Sequence, residues 1–156
     1  MGLQENFRNE QISQLAIREP ITVQSTSSVS DTVSLMRDRD LGCAFVVDDA
    51  GKLIGVFTES MLTELLSHGH VELDEPIENR MAKRCAWVTK TDPIVDILDA
   101  MQMKNLRFLC VVDEQGRVVG LTGQRGLMEY VADSFPGQVL VRKIGQSPYL
   151  SEREGA

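Results

Sequence analysis

Aromatic residues are scarce in this 156-residue chain, at 5%. Cations are also in deficit: 16 lysines and arginines stand against 23 aspartates and glutamates, a net charge of −7, and no basic tract is present. Both features speak against a nucleic acid or an anionic membrane surface as the main partner, since such partners are held by clustered cations. No apolar run reaches the ~18 residues that span a bilayer. The stretch Met1 to Asn6 lacks the basic-then-apolar order of a secretory signal, and it gives little support to myristoylation at Gly2. A cytoplasmic protein is the expectation.

The three cysteines are odd in number and lack Cys-x-x-Cys spacing. Cys43 and Cys110 lie in strand-like apolar runs and read as small buried hydrophobes in a reducing compartment. Motifs of catalysis are missing too: there is no G-x-S-x-G, no G-x-x-x-x-G-K-[ST] and no cysteine–histidine motif. No enzyme is expected. His68-Gly69-His70 supplies two imidazoles without a third ligand, so an exposed linker is expected there rather than a metal.

What is present is a duplication. Phe45-Val46-Val47-Asp48-Asp49-Ala50-Gly51-Lys52-Leu53-Ile54-Gly55 reads as strand, turn, strand. Cys110-Val111-Val112-Asp113-Glu114-Gln115-Gly116-Arg117-Val118-Val119-Gly120 repeats its punctuation in the second half, Gly51 matching Gly116 and Gly55 matching Gly120. Thr26/Thr91, Asp31/Asp96, Asp48/Asp113 and Glu64/Glu129 are identical at the same unbroken offset. A lone unit of ~60 residues buries too little surface to be comfortable alone, so the copies are expected to share one core.

Each copy orders its elements as short helix, strand, helix, strand, strand, helix. Ile12, Leu15 and Ala16 give the first short helix, which ends before Pro20, and Ile77 and Met81 echo Ile12 and Ala16. Ile21 to Val23 and Ala86 to Val88 are the first strands. Ser28 followed by Asp31 resembles a capping box, and Asp92-Pro93 reads as a helix cap followed by proline. Thr58 caps the helix after the hairpin, with Glu59 suiting its dipole. Asp48 and Asp113 read as turn acids. The chain divides into an arm at 1–11, frayed or part of a docking helix, repeats at 12–69 and 77–134, a linker at 70–76 and a tail at 135–156. In that tail, Gln138 to Val141 is expected either to add a strand or to pack across a partner.

With V-V-D-x-x-G-x-h-h-G in both copies, the sequence resembles a tandem pair of cystathionine-β-synthase (CBS) domains, a Bateman module. The resemblance covers about residues 12–133. It implies an α/β fold of two repeats packed about a pseudo-two-fold axis, with two clefts at the seam. It also implies a standalone regulatory homodimer that binds AMP, ADP, ATP or S-adenosylmethionine and signals to a regulated protein. No cofactor is required.

The family signature G-h-h-[TS]-x-x-D puts a hydroxyl and free amides on phosphate and a carboxylate on ribose. Here Gly55-Val56-Phe57-Thr58-Glu59-Ser60-Met61 keeps Thr58 but has Met61 for the carboxylate. Gly120-Leu121-Thr122-Gly123-Gln124-Arg125-Gly126 has neither group, and Thr122 stands one position early. A lost charged acceptor removes about 1.5–3 kcal/mol of hydrogen bonding, or roughly one to two decades of affinity. By the resemblance, Thr22, Val23, Trp87 and Val88 meet the base, with Trp87 either stacking on it or filling a cleft or interface. Thr58 and Met61 belong to one helix start. Gly123, Gln124 and Arg125 form the other, with Arg125 a phosphate contact or a solvated arginine. Arg107 is an anion contact or an ion-pair partner. If only one cleft binds phosphate, the one reached by Arg125 is favoured. The alternative is a ligand-free structural or interaction dimer.

Overall fold

The computed structural model describes residues 2–69 and 72–135. Each repeat forms a three-stranded sheet. In the first, β1 (Thr22–Gln24) runs parallel to β2 (Cys43–Val47), which pairs antiparallel with β3 (Leu53–Thr58). In the second, β4 (Trp87–Val88), β5 (Phe108–Val112) and β6 (Val118–Gly123) repeat that order and sense. Val46 faces Gly55 as Val111 faces Gly120. Helices α2 (Val29–Asp38) and α3 (Glu59–Ser67) belong to the first repeat, α4 (Val95–Lys104) and α5 (Gln124–Ser134) to the second, and α1 (Leu3–Asn9) precedes both.

The hairpin turns are built alike. The Asp48 carboxylate accepts the amides of Ala50 and Lys52, and Asp113 those of Gln115 and Arg117, all at 2.9 Å. Gly51 and Gly116 both take φ +82°, a left-handed conformation that costs glycine nothing. The turns meet across the pseudo-two-fold axis. The Leu53 amide donates to the Gly116 carbonyl at 3.1 Å and the Val118 amide to the Gly51 carbonyl at 3.0 Å.

Two helix caps form as their residues suggest: Ser28 accepts the Asp31 amide at 3.0 Å and Thr58 the Met61 amide at 3.2 Å. The expected cap at Asp92 does not. Its carboxylate closes the preceding turn, accepting the Thr89 amide at 2.8 Å, and α4 starts at Val95 behind Ile94.

The expected short helices are 3-10 turns, Ile12–Gln14 and Ile77–Asn79. Their amides are spent on the other repeat. Ile12 donates to the Asp92 carbonyl at 2.9 Å, and Ile77 to that of Ser27 at 2.7 Å. Each lead-in segment therefore crosses to the opposite half. Arg18 and Leu121 exchange two backbone hydrogen bonds, as do Ala82 and Val56, so each lead-in extends the other repeat's sheet. Gly120 leaves the space that Ile17 occupies, and Gly55 the space for Met81. Met81 thus matches Ile17, not Ala16. The offset between the copies shortens by a single position here and is restored at β4, where Trp87 faces Cys110 as Thr22 faces Phe45.

The core records the exchange. Ile77 is fully buried among Val29, Phe45 and Phe57 of the first repeat, and Ile12 among Val88, Ile94 and Leu109 of the second. The N-terminal arm docks through α1: Phe7 lies 5.9 Å from the Tyr130 ring, and the Tyr130 hydroxyl donates to Glu10. The described part of the linker serves α2, with the Leu73 and Glu75 carbonyls accepting the amides of Ser30 and Val29 at 2.8 and 3.0 Å. His70 and the tail strand expected at Gln138 to Val141 lie outside the described residues.

Candidate functional site

The exchange of lead-ins leaves a cleft of about 420 Å³ between the repeats. One wall is Gly42 with the start of α3, Thr58 to Met61. The other is the second lead-in, Ala82 and Arg84 to Ala86, and Asn105 to Phe108 close the end. Thr58 ends a strand and caps a helix, so its hydroxyl oxygen is fixed on the Met61 amide while its proton stays free to donate. Glu59 turns its amide to the Gly42 carbonyl at 3.0 Å.

Behind the lead-in lies a second cavity of about 690 Å³. The two share Arg84, Cys85, Ala86 and Leu106 as a common wall, and the second adds Lys83, Lys104 and Trp87. Four cations thus line the pair of cavities against one acid, Glu59. None of the four forms an ion pair among the described residues. In an acidic chain this is a local reversal of sign.

Burial holds the thiols here in their protonated form. Burial pushes Cys85 up to about 11 against the opposing pull of Lys104. Burial also pushes Cys43 up to about 12, reinforced by Cys85 and Glu59 and opposed by Arg18. Cys110 is raised further, again chiefly by burial. All three are protonated near neutral pH, and the thiolate is the reactive form. The described residues contain no group of three potential metal ligands.

Of the residues singled out by sequence, Thr58, Met61 and Arg107 come together in the cleft. Among the described residues Trp87 is 58% exposed and lines the second cavity. Val23 and Val88 are buried in their sheets, and Thr22 is exposed on β1. Gln124 lines a separate hollow between α4 and α5, one that Arg107 also borders.

The Arg125 helix start is closed by packing. A Cβ at Gly123 would strike the Arg107 carbonyl, and one at Gly126 would stand 3.1 Å from the Thr122 hydroxyl and 3.5 Å from the Ala16 carbonyl. Arg125 itself pairs with Glu129 at 3.4 Å. Sequence reasoning missed Lys83, Arg84, Cys85, Lys104 and Asn105. The available signal was the dibasic Lys83-Arg84 before the second repeat's first strand, where the first repeat has Glu19.

The CBS domain family model matches residues 12–68 and again 75–133. The chain belongs to the CBS domain family. A CBS domain pair crystallised with 5′-methylthioadenosine and S-adenosyl-L-methionine superposes with a TM-score of 0.71 at 21% identity, over 80% of this chain and 97% of that one. The CBS domain protein of Pyrobaculum aerophilum complexed with AMP gives 0.69 at 22%, over 75% and 89%. An uncharacterised 17.7 kDa protein of Acidianus ambivalens is 25% identical over 78% of this chain and 73% of its own length. The chain spans 42% and 63% of the next two curated relatives. This CBS pair is an α/β protein of two tandem repeats, and among its described residues no helix is long and apolar enough to cross a membrane.

Proposed function

We propose that this CBS pair is a regulatory module that takes an adenosine-containing ligand in the cleft beside Thr58 and signals to a partner protein. The observation that carries the reading is the cleft itself: a helix start with a free hydroxyl proton faces Arg84 and Arg107 across the seam. Binding of AMP and of S-adenosyl-L-methionine by similar CBS pairs supports the ligand class. This cleft is preferred over the one reached by Arg125, whose cation is already engaged.

A ligand there touches both repeats, so it favours one mutual packing over another, and a partner reads the shifted population. No step of chemistry is assigned to the chain. A homodimer provides the natural frame, since Leu66 on α3 and Met128 on α5 are 55% and 66% exposed.

The test is mass spectrometry of small molecules released from freshly purified, denatured protein, with calorimetry against adenosine, AMP, ADP, ATP and S-adenosylmethionine. An adenosine compound bound, and weakened by Thr58→Val, is the expected result. No response to any of the five would overturn the reading. It would favour a ligand-free interaction dimer, the alternative suggested by Met61 in the cleft in place of a carboxylate.

A further inference from the structure

We infer that the ligand of this cleft is an adenosine polyphosphate, with a phosphate chain that runs from Arg107 and Arg84 over the shared wall to Lys83 and Lys104. The inference rests on the cleft being an adenosyl site and adds the class of ligand.

Three observations carry it. The cations are divided between two cavities: Arg107 lines the first, Arg84 both, and Lys83 and Lys104 only the second. The cations are thus strung along both sides of the shared wall rather than gathered at one point, an arrangement that suits a chain of phosphates better than a single one. The helix start does not gather anions, because Glu59 lines the cleft there and neutralises the positive end of the α3 dipole. An anionic tail is therefore turned toward the second repeat's wall, where the second cavity has three cations and no acid.

The third observation is the asymmetry between halves. Lys83 follows Ala82, the match of Arg18, so its counterpart is Glu19, and at the offset that matches Gly51 with Gly116 the counterpart of Lys104 is Arg39. Arg39 donates to the carbonyls of Pro20 and Glu19 at 3.2 and 3.1 Å and lies 3.9 Å from the Glu19 carboxylate. The pseudo-symmetric positions thus satisfy one another, while Lys83, Arg84, Lys104 and Arg107 form no ion pair among the described residues. A cationic sulfonium gains nothing from such a wall. A polyphosphate gains charge-assisted hydrogen bonds.

Trp87 supplies the readout, being the only tryptophan in the chain and a lining residue of the second cavity. Titrations with adenosine, AMP, ADP, ATP, S-adenosylmethionine and inorganic tripolyphosphate are followed by its fluorescence and by calorimetry, in buffer free of divalent cations. ATP should bind at least about tenfold tighter than AMP, the worth of one further charge-assisted contact, and tighter than S-adenosylmethionine or tripolyphosphate. The double variant Lys83→Gln/Lys104→Gln should bring the ATP-to-AMP ratio near unity, and Lys90→Gln, outside both cavities, should not. The four cations are exposed, so these variants keep the fold.

AMP binding as tightly as ATP, or S-adenosylmethionine binding best, overturns this inference and leaves the adenosyl site standing. Tripolyphosphate matching ATP overturns it as well, since the wall then recognises phosphate without adenosine. No binding by any adenosine compound removes the site itself.

Discussion

Replacing Ile77 with alanine should loosen the repeat to which Ile77 does not belong in sequence. The side chain is 0% exposed and packs with Val29, Phe45 and Phe57 of the first repeat. Truncating a buried isoleucine costs about 2–5 kcal/mol, by lost transfer energy plus an unfilled cavity. Taking about 3 kcal/mol, a domain of this size should melt roughly 6–12 °C lower, at about 2–4 °C per kcal/mol. Two buried thiols localise the effect: Cys43 on β2 and Cys110 on β5 are both reduced and inaccessible. Pulsed alkylation under native conditions, read residue by residue by mass spectrometry, then reports opening of each sheet. About 3 kcal/mol corresponds to an opening population raised roughly a hundredfold, so Cys43 labelling should accelerate by that order in Ile77→Ala. Ile12→Ala, with its side chain in the second repeat's core, should lower the melting temperature by a similar amount. Unchanged Cys43 labelling in Ile77→Ala, or two separate melting transitions, would refute the exchange of lead-ins.

Two further predictions concern close packing. Gly120→Ala should destabilise by about 1–3 kcal/mol through overpacking against Ile17. Adding Ile17→Ala should recover part of that loss in a double-mutant cycle, and strict additivity in urea melts would count against the contact. Thr122→Val should stabilise by about 1 kcal/mol, because the Thr122 hydroxyl is buried without a partner among the described residues and such a group carries a desolvation penalty. A lower melting temperature in that variant would mean the hydroxyl is bonded after all.

The duplication made the architecture legible. Val-Val-Asp, Gly51 and Gly55 report a strand, a turn acid, a left-handed position and a close approach, and each recurs in the second half at Val111-Val112-Asp113, Gly116 and Gly120. The crossing of the lead-ins was not legible. A single 3-10 turn has no periodicity, and nothing in Ile12 or Ile77 says which repeat receives it. The same limit explains the Asp92 cap: an aspartate before proline suits a helix start, but a competing amide at Thr89 lies on the other side. In the site, Thr58 was readable because cap chemistry is local. Arg84 and Lys104 were not, since the whole of β4 and α4 separates them in sequence and they share a cavity only once the lead-in crosses. The pairing of Arg125 with Glu129, one helical turn away, and the tight packing of the helix start beneath it were likewise not legible, since both depend on the folded geometry.

The crossed lead-ins also bear on how such a protein can be divided. Cut at the linker, either half would present a bare strand, β3 or β6, beside a loose end of its own that fits that kind of strand. Two such halves could each donate the end the other lacks and rebuild the whole from separate chains. A tether between two such halves would then fix an exchange of ends that separate copies could already make.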